Sequence, residues 1–310
     1  MQYLILLLLI SSIKLTAQSD YNQVDKYAKK LHIKTKNTLK IAHQLTNQFE
    51  TEEEKIRAIY IWIGSNIEYD WDLYRNKKLR YKLAKKKAKK RIKRTLRKRM
   101  AICHGYSELF KVLAHASDID CEVIEGYSKT KKTEIGRIKK ADHAWNIAKI
   151  DGIWYLFDVT WSRDYIIYPA INGNIGHPYF MANPEKFNYN HLPINEYWKL
   201  NTYGIDKEEF GKLPLVHNGF FTNNFDLHEE SKNGVMITRV NQPFSIRFSS
   251  ENKPFLSQIK LGRRLLDGEL VEVSEGEYEF KYSFNKKGNY YSEIYLDGIK
   301  TITYLVKVKP

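Results

Sequence analysis

Residues 101–107 read Ala-Ile-Cys-His-Gly-Tyr-Ser, and this stretch decides the fold because it places a thiol directly before a helical pattern. The apolar residues that follow recur at the spacing of one α-helical face: 106, 109, 110, 113 and 116. We therefore predict that Cys103 lies at a helix N-terminus. Unpaired backbone N–H groups and the helix dipole favour an anion at that position, and the thiolate is the nucleophilic form of cysteine.

Two later stretches supply an imidazole and a carboxylate. Residues 143–150 read as one strand and residues 153–159 as the next, and the Asp-Gly pair at 151–152 is typical of a two-residue type I′ hairpin. That loop fixes a register in which His143 and Asp158 are diagonal neighbours on one face. Diagonal side chains lie about 7–8 Å apart, within reach of long side chains. The register therefore predicts a hydrogen bond between His143 and Asp158.

A thiol, an imidazole and a carboxylate are the groups that nucleophilic catalysis by cysteine requires. We predict that Cys103 is the nucleophile, that His143 is the general base and acid, and that Asp158 orients the imidazole. Thioester chemistry needs no cofactor, so none is predicted. No metal site is predicted either, because His177 and His191 have no cysteine or carboxylate partners at the spacing of metal ligands.

The three motifs, in this order, resemble the core of the transglutaminase-like (papain-like cysteine) superfamily. That family has the patterns G-x-C-x-G-[YF]-[AS], H-[AS]-W-N and D-x-T-[WY], and the similar region runs from about residue 58 to residue 162. Ala101 stands where the family usually has glycine. Stretches within residues 179–200 are similar to the subgroup that contains kyphoscoliosis peptidase and a cytokinesis protein.

The resemblance implies an α+β fold in which the helix carrying Cys103 packs on an antiparallel sheet. It implies acyl transfer through a thioester on a protein or peptide substrate. Attack by water would make the protein a peptidase or amidase, and attack by an amine a transglutaminase-type cross-linker. Trp62 and Trp71 are interpreted first as core residues; the less favoured alternative is that an aromatic side chain near Tyr69 or Trp71 helps to bind the oxyanion, as in relatives. Members can also act as scaffolds, so a non-catalytic adaptor for protein or cell-envelope polymer is the alternative.

The first 17 residues have the pattern of a signal peptide. Residues 4–10 form an unbroken apolar run that is too short to span a bilayer, and small residues follow it. We therefore expect an exported protein, found in the periplasm, on the cell surface or secreted. An uncleaved anchor is the alternative, because no Lys or Arg precedes Lys14. The mature chain has no other apolar run long enough for a transmembrane span.

The chain has two cysteines, Cys103 and Cys121. Export makes a disulfide between them an open alternative. In the favoured interpretation Cys103 is the free nucleophile, and Cys121 begins a strand as a small buried apolar residue.

Residues 75–99 are strongly basic. Sixteen of these 25 residues are Lys or Arg and none is acidic. The net charge of the whole chain is +15, so the excess positive charge comes from this segment. The pattern indicates one long helix with a narrow apolar stripe, mobile when free. It is either a solvated insertion or an anchor for an anionic envelope surface such as lipid headgroups or lipopolysaccharide. Nucleic acid is disfavoured, because only Tyr81 is available for base stacking.

From residue 225 the apolar pattern changes to the two-residue period of strands. About seven short strands are predicted at 235–240, 244–250, 256–261, 270–273, 278–284, 290–296 and 301–308. Their spacing indicates a small immunoglobulin-like β-sandwich. The predicted organisation is a signal peptide at 1–17, a transglutaminase-like domain at 18–200, a linker at 201–222 and the sandwich at 223–310.

Overall fold

A computed structural model describes residues 21–137, 139–169, 176–200, 204–222 and 224–310. The predicted signal peptide at residues 1–17 lies outside these described residues. Within the described ranges, no helix combines the length and the apolar character needed to cross a membrane.

Helices dominate the first half of the chain. Their bounds are α1 (Asn22–Lys30), α2 (Thr38–Thr46), α3 (Glu52–Asn66), α4 (Trp71–Arg75), α5 (Lys77–Ala84), α6 (Ala88–Lys98), α7 (Cys103–His115), α8 (Val159–Ile167), α9 (Pro184–Phe187), α10 (Lys207–Lys212) and α11 (Asn218–Thr222). The longest of these are α3 and α7, which contact each other in the main core. A capping box formed by Thr51 and Glu54 fixes the start of α3.

The strands of the first half are β1 (Glu68–Tyr69), β2 (Met100–Ala101), β3 (Cys121–Ser128), β4 (His143–Ile150), β5 (Ile153–Phe157) and β6 (His191–Pro193). The last four form an antiparallel sheet in the order β5-β4-β3-β6, and α7 packs on β3 and β4. A cysteine-bearing helix on an antiparallel sheet is the predicted α+β core, which is therefore confirmed.

The predicted hairpin between β4 and β5 is present in the predicted register, with Ile150 opposite Ile153. Asp151 and Gly152 have φ values of 48° and 84°, and a type I′ turn requires both to be positive. The predicted extent of the second strand is wrong, because β5 ends at Phe157 and the next residue already caps α8.

Side chains of two motifs hold α7 against the sheet. Ser107 Oγ on α7 donates to the carbonyl oxygen of Ala144 on β4 at 3.0 Å. In the other direction, Asn146 Nδ2 on β4 donates to the carbonyl oxygens of Ser107 and Glu122, each at 3.1 Å. These buried hydrogen bonds fix the distance between the start of α7 and the start of β4.

The basic segment differs from its prediction. It is not one long projecting helix but two, α5 and α6, separated by a turn at residues 85–87. The second helix is docked on the domain, where Leu96 is buried and Arg91 and Arg94 form ion pairs with Glu108 and Asp70. The mobility of the free segment stays a prediction, since only α6 has buried residues and α5 has none.

The second half of the chain is a β-sandwich. Its strands are β7 (Leu215–Val216), β8 (Asp226–Leu227), β9 (Val235–Arg239), β10 (Pro243–Ser249), β11 (Ser257–Leu261), β12 (Arg264–Asp267), β13 (Glu269–Ser274), β14 (Glu277–Ser283), β15 (Gly288–Leu296) and β16 (Ile299–Lys309). One sheet has the order β13-β14-β10-β8 and the other β12-β11-β15-β16-β7, with β9 parallel to β16. All seven predicted strands are present, and the predicted sandwich is confirmed; its immunoglobulin-like character stays a prediction.

The described part of the predicted linker, residues 204–222, contains regular structure. It includes α10, β7 and α11, and β7 pairs with β16 so that Val216 lies opposite Ile302. Phe220 on α11 is fully buried in the core of the sandwich. Residues 215–220 therefore pack as part of the β-sandwich.

Candidate active site

The structure places Cys103 at the first position of α7, as predicted. The preceding residue, Ile102, is extended, so the chain enters the helix abruptly at the thiol. The Cys103 side chain is 7% exposed, and both Cys103 and Cys121 are free. The alternative of a disulfide between them is therefore wrong for this structure. Burial raises the pKa of the Cys121 thiol, which keeps that thiol protonated.

Gly105 allows two neighbouring elements to approach the first turn of α7. A Cβ atom at this position would lie 2.7 Å from Cβ of Ala101 and 3.0 Å from Oγ1 of Thr95. A contact of 2.7 Å between two Cβ atoms is too short for packed side chains, and Ala101 has no flexible end that could move away. Glycine is therefore needed here for the packing of β2 and α6 beside Cys103.

His143 begins β4 and forms the predicted hydrogen bond with Asp158. The distance from His143 Nε2 to Asp158 Oδ2 is 2.6 Å, and both side chains are buried. The imidazole is close to two indole rings, with centroid distances of 5.9 Å to Trp145 and 5.4 Å to Trp161. Because Nε2 is engaged by Asp158, Nδ1 is the ring nitrogen left for its hydrogen bond with Cys103.

Asp158 reaches His143 as a helix cap and not as a strand residue. Its Oδ1 atom accepts a hydrogen bond from the backbone N–H of Trp161 at 3.0 Å, which caps α8. Its Oδ2 atom is the one that contacts His143. One carboxylate therefore starts a helix and fixes an imidazole at the same time.

His143 and Asp158 are both buried, and each shifts the pKa of the other. Burial favours the neutral carboxyl, but the charge and hydrogen bond of His143 outweigh it and hold the pKa of Asp158 well below its ordinary value. Burial likewise opposes the imidazolium, but Asp158 and Cys103 raise the pKa of His143 well above its ordinary value. The pair is therefore charged at neutral pH.

His191 is a member of this site that the sequence interpretation missed. Its Nε2 atom lies 3.1 Å from Asp158 Oδ2, and its ring stacks on Phe187 with centroids 3.9 Å apart. His177 also has a carboxylate near it, since its Nε2 atom lies 3.6 Å from Asp25 Oδ2. Both histidines thus contact carboxylates that are distant in the sequence, which the sequence spacing could not indicate. The only sequence signal for His191 is its position in the subgroup-like stretch, because no local pattern connects it with Asp158.

The donor atoms of His143, Asp158 and His191 lie within 4.8 Å of one another, a set that could hold a metal ion. The hydrogen bonds from both imidazoles to one carboxylate account for this proximity without an ion. The predicted absence of a metal therefore stays a prediction.

Cys103 and His143 line an open cleft of about 1340 Å³. One wall comes from β1 and the three helices α4, α5 and α6, so the basic segment flanks the thiol. Tyr69 and Trp71 lie on this wall with ring centroids 4.6 Å apart. Burial, with a smaller contribution from Cys103, raises the pKa of Tyr69 above its ordinary value. Its hydroxyl therefore remains a hydrogen-bond donor beside the thiol at neutral pH.

A family model described as the transglutaminase-like superfamily matches residues 39–159. The chain contains a transglutaminase-like domain. The matched range holds Cys103, His143 and Asp158, together with α7 and the β4–β5 hairpin. The predicted family is thus confirmed.

Curated relatives agree with the predicted subgroup. Kyphoscoliosis peptidase from Homo sapiens is 29% identical over 184 residues, which cover 58% of this chain and 26% of the relative. Hillarin from Drosophila melanogaster is 25% identical, covering 64% of this chain and 25% of the relative. Cytokinesis protein 3 from Saccharomyces cerevisiae is 29% identical, covering 40% and 14%. This chain therefore spans about a quarter, or less, of the length of these relatives.

Proposed function

We propose that this protein is a cysteine-dependent acyl-transfer enzyme that acts on proteins or peptides through Cys103, His143 and Asp158. The observation that carries the proposal is the 2.6 Å bond from His143 Nε2 to Asp158 Oδ2, with Cys103 at the helix start in the same cleft. The Asp158 contact leaves Nδ1 of His143 to exchange a proton with the thiol. This arrangement supports the roles of nucleophile, base and orienting acceptor for the three residues.

In the first step the Cys103 thiolate attacks a substrate carbonyl carbon and forms a C–S bond. The amine of the substrate then leaves with the proton that His143 held, and a thioester remains on Cys103. In the second step His143 removes a proton from water or from a second amine, which attacks the carbonyl carbon of the thioester. The C–S bond then breaks, the acyl group leaves as a carboxylic acid or a new amide, and Cys103 returns to the thiolate beside the protonated His143. The Tyr69 hydroxyl is the side chain that donates to the oxyanion.

The match to the transglutaminase-like family supports a protein or peptide substrate, and the cleft beside Cys103 is open to solvent. One relative is named a peptidase, which favours attack by water. Hydrolysis and transamidation share the thioester and differ only in whether water or an amine attacks it. An experiment must therefore distinguish the two reactions.

An activated ester tests the acyl-transfer step without knowledge of the substrate. The full chain is incubated with p-nitrophenyl acetate, and p-nitrophenolate release is followed while the protein is analysed by mass spectrometry. A burst of release with an acetyl group on Cys103 is expected, followed by slower turnover. A fluorescent primary amine added to the reaction measures the share of acyl groups that go to amine and not to water.

Cys121→Ala is the matched control, because this thiol is buried and its pKa is raised. It should retain the burst, whereas Cys103→Ala should lose it. Acetylation that is equally fast in Cys103→Ala, or no acetylation of Cys103 at all, would overturn the enzyme proposal. A protein that is folded but transfers no acyl group would support the alternative function of a non-catalytic adaptor.

Export is proposed separately, on the basis of the apolar run at residues 4–10. The test is N-terminal sequencing of the protein after expression in a bacterial host with fractionation. A mature chain in the exported fraction that begins near residue 18 supports it, and a full-length chain retained in the cytoplasm contradicts it.

A further inference from the structure

Three aromatic side chains form a cluster on the cleft wall, in which Tyr69 is half-buried and the other two are exposed. Tyr69, Trp71 and Tyr74 have ring centroids 4.6 to 6.0 Å apart in each pairing. Trp71 is 56% exposed and Tyr74 is 45% exposed. Large aromatic rings that cluster in a cleft without being buried are typical of sites that bind another molecule.

Arg80 on α5 lies next to this cluster. Its guanidinium carbon is 5.6 Å from the centre of the Tyr74 ring, and Arg80 also lines the cleft. Tyr69 and Cys103 line the same cleft.

The charge of Arg80 is not neutralised by the described part of the chain. The neighbouring cleft arginines have carboxylate partners, because Arg91 pairs with Glu108 and Arg94 pairs with Asp70. Among the described residues, Arg80 has no such pair, and its Nε atom is buried without a hydrogen-bond partner. An arginine in this condition has donors to offer to an incoming carboxylate, which its planar fork can bind with two hydrogen bonds.

We propose that Tyr69, Trp71, Tyr74 and Arg80 form a substrate subsite that takes an acidic side chain, glutamate or aspartate, of the protein substrate. The rings contact the apolar stem of that side chain, and Arg80 binds its carboxylate. The inference rests on the proposed function, because it places the acidic residue next to the acyl group that Cys103 attacks. The protein would thus select sites in its substrates that have an acidic residue near the reacting bond.

Two small thiol reagents test the subsite without a known substrate. Iodoacetate and iodoacetamide alkylate thiols by the same displacement of iodide, but only iodoacetate carries a carboxylate. The rate of each reaction at Cys103 is measured by mass spectrometry in wild type and in Arg80→Gln. The ratio of the iodoacetate rate to the iodoacetamide rate should fall by about fivefold in Arg80→Gln, the effect of losing one charged hydrogen-bonding partner at a partly exposed site.

Lys82→Gln is the matched control, because Lys82 is an exposed cation on the same helix and does not line the cleft. Its ratio should equal that of wild type. An unchanged ratio in Arg80→Gln, or an equal fall in Lys82→Gln, would overturn the subsite. Failure of the proposed function gives a different result, namely that neither reagent labels Cys103 faster than Cys121.

A second measurement does not depend on the thiol. Peptide amides that contain N-acetyl-glutamate or N-acetyl-glutamine are titrated into Cys103→Ser protein, and the ¹⁵Nε resonance of Arg80 is followed by NMR. The glutamate peptide should shift this resonance and the glutamine peptide should not. If both peptides shift it, or if neither does, an acidic subsite at Arg80 is excluded.

Discussion

At the scale of single residues, Asp158 has two tasks that a substitution can separate. Asparagine at this position keeps an oxygen for the N–H of Trp161, so the cap of α8 survives. It does not keep the negative charge that holds His143. Asp158→Asn should therefore remain folded and lose turnover by up to about 10⁴-fold, as for the acceptor of a serine triad. Thermal unfolding and the rate of p-nitrophenyl acetate turnover check both parts.

Asp164→Asn is the control for this prediction, since Asp164 also lines the cleft and its side chain is largely exposed. It should have nearly wild-type turnover. If Asp158→Asn also turns over at the wild-type rate, Asp158 does not orient the imidazole.

The raised pKa of His143 predicts how stability depends on pH. A histidine whose pKa is higher in the folded protein than in the unfolded protein contributes its full stabilisation when the pH is below the unfolded-state pKa. This stabilisation is lost as the pH rises through the folded-state pKa. Burial opposes the charge, but Asp158 and Cys103 raise the pKa of His143 to about 10. The difference in unfolding free energy between wild type and His143→Gln should therefore shrink steadily from pH 7 to pH 10. Denaturant unfolding at several pH values measures it, and a difference that grows with pH contradicts the charged pair.

The contact between His143 and Asp158 could be predicted from the sequence because a two-residue hairpin fixes register. The way in which Asp158 makes the contact could not, because a strand residue and a helix cap look alike where one element passes into the next. His191 could not be found at all. Its contact with Asp158 spans 33 residues and depends on how β6 pairs with β3, and such pairing leaves no local pattern.

At the scale of elements, the two basic helices present an outward face of exposed lysines. Lys86, Lys87 and Lys90 are exposed around the turn between α5 and α6. Attraction to an anionic bilayer is worth up to about 1 kcal/mol for each such residue. We expect the protein to bind anionic phospholipid vesicles and to be released by salt. Replacing these three lysines with glutamine should weaken binding in cosedimentation by roughly 10- to 100-fold.

The control variant replaces Lys286, Lys287 and Lys309, three exposed lysines of the sandwich, with glutamine. It changes the net charge equally, so it should retain binding if the basic helices are the contact surface. Equal loss in both variants would mean that only net charge matters. Because α6 is already docked, helical content should not rise on binding.

The division of the basic segment into two helices could not be predicted from its composition, since no glycine or proline separates them. The turn depends on a tertiary contact. The Arg91 guanidinium donates to the carbonyl oxygens of Ala84 and Lys86, which are free groups at the C-terminal end of α5. The same guanidinium pairs with Glu108 on α7. One arginine thus ends one helix and docks the next.

At the scale of the whole molecule, α10 and the β-sandwich together support a loop that reaches the cleft. Lys129 donates to the carbonyl oxygens of Phe210 and Leu213 at 2.7 and 2.6 Å, and Lys132 pairs with Glu293 on β15 at 2.6 Å. The residues between them, Thr130 and Lys131, line the cleft. The sandwich therefore contributes to the shape of the site without lining most of it.

The packing of residues 215–220 predicts which fragment of the second half can fold. A fragment of residues 223–310 lacks β7 and the buried ring of Phe220. Loss of one buried phenylalanine costs about 3–5 kcal/mol, so this fragment should melt on the order of 10 °C or more below a fragment of residues 204–310. Calorimetry of the two fragments measures the difference. Equal melting temperatures would support the boundary predicted at residue 223.

The central claim is that Cys103 is a thiol activated by His143, and the most direct measurement is the rate of alkylation of each cysteine by iodoacetamide near neutral pH. Cys121 is the internal reference, because its thiol is buried and its pKa is raised by that burial. In wild type, Cys103 should react much faster than Cys121. In His143→Ala the rate of Cys103 should fall toward that of an unactivated thiol, while the slow rate of Cys121 stays the same. Equal rates for the two thiols in wild type, or a fast Cys103 in His143→Ala, would contradict the claim.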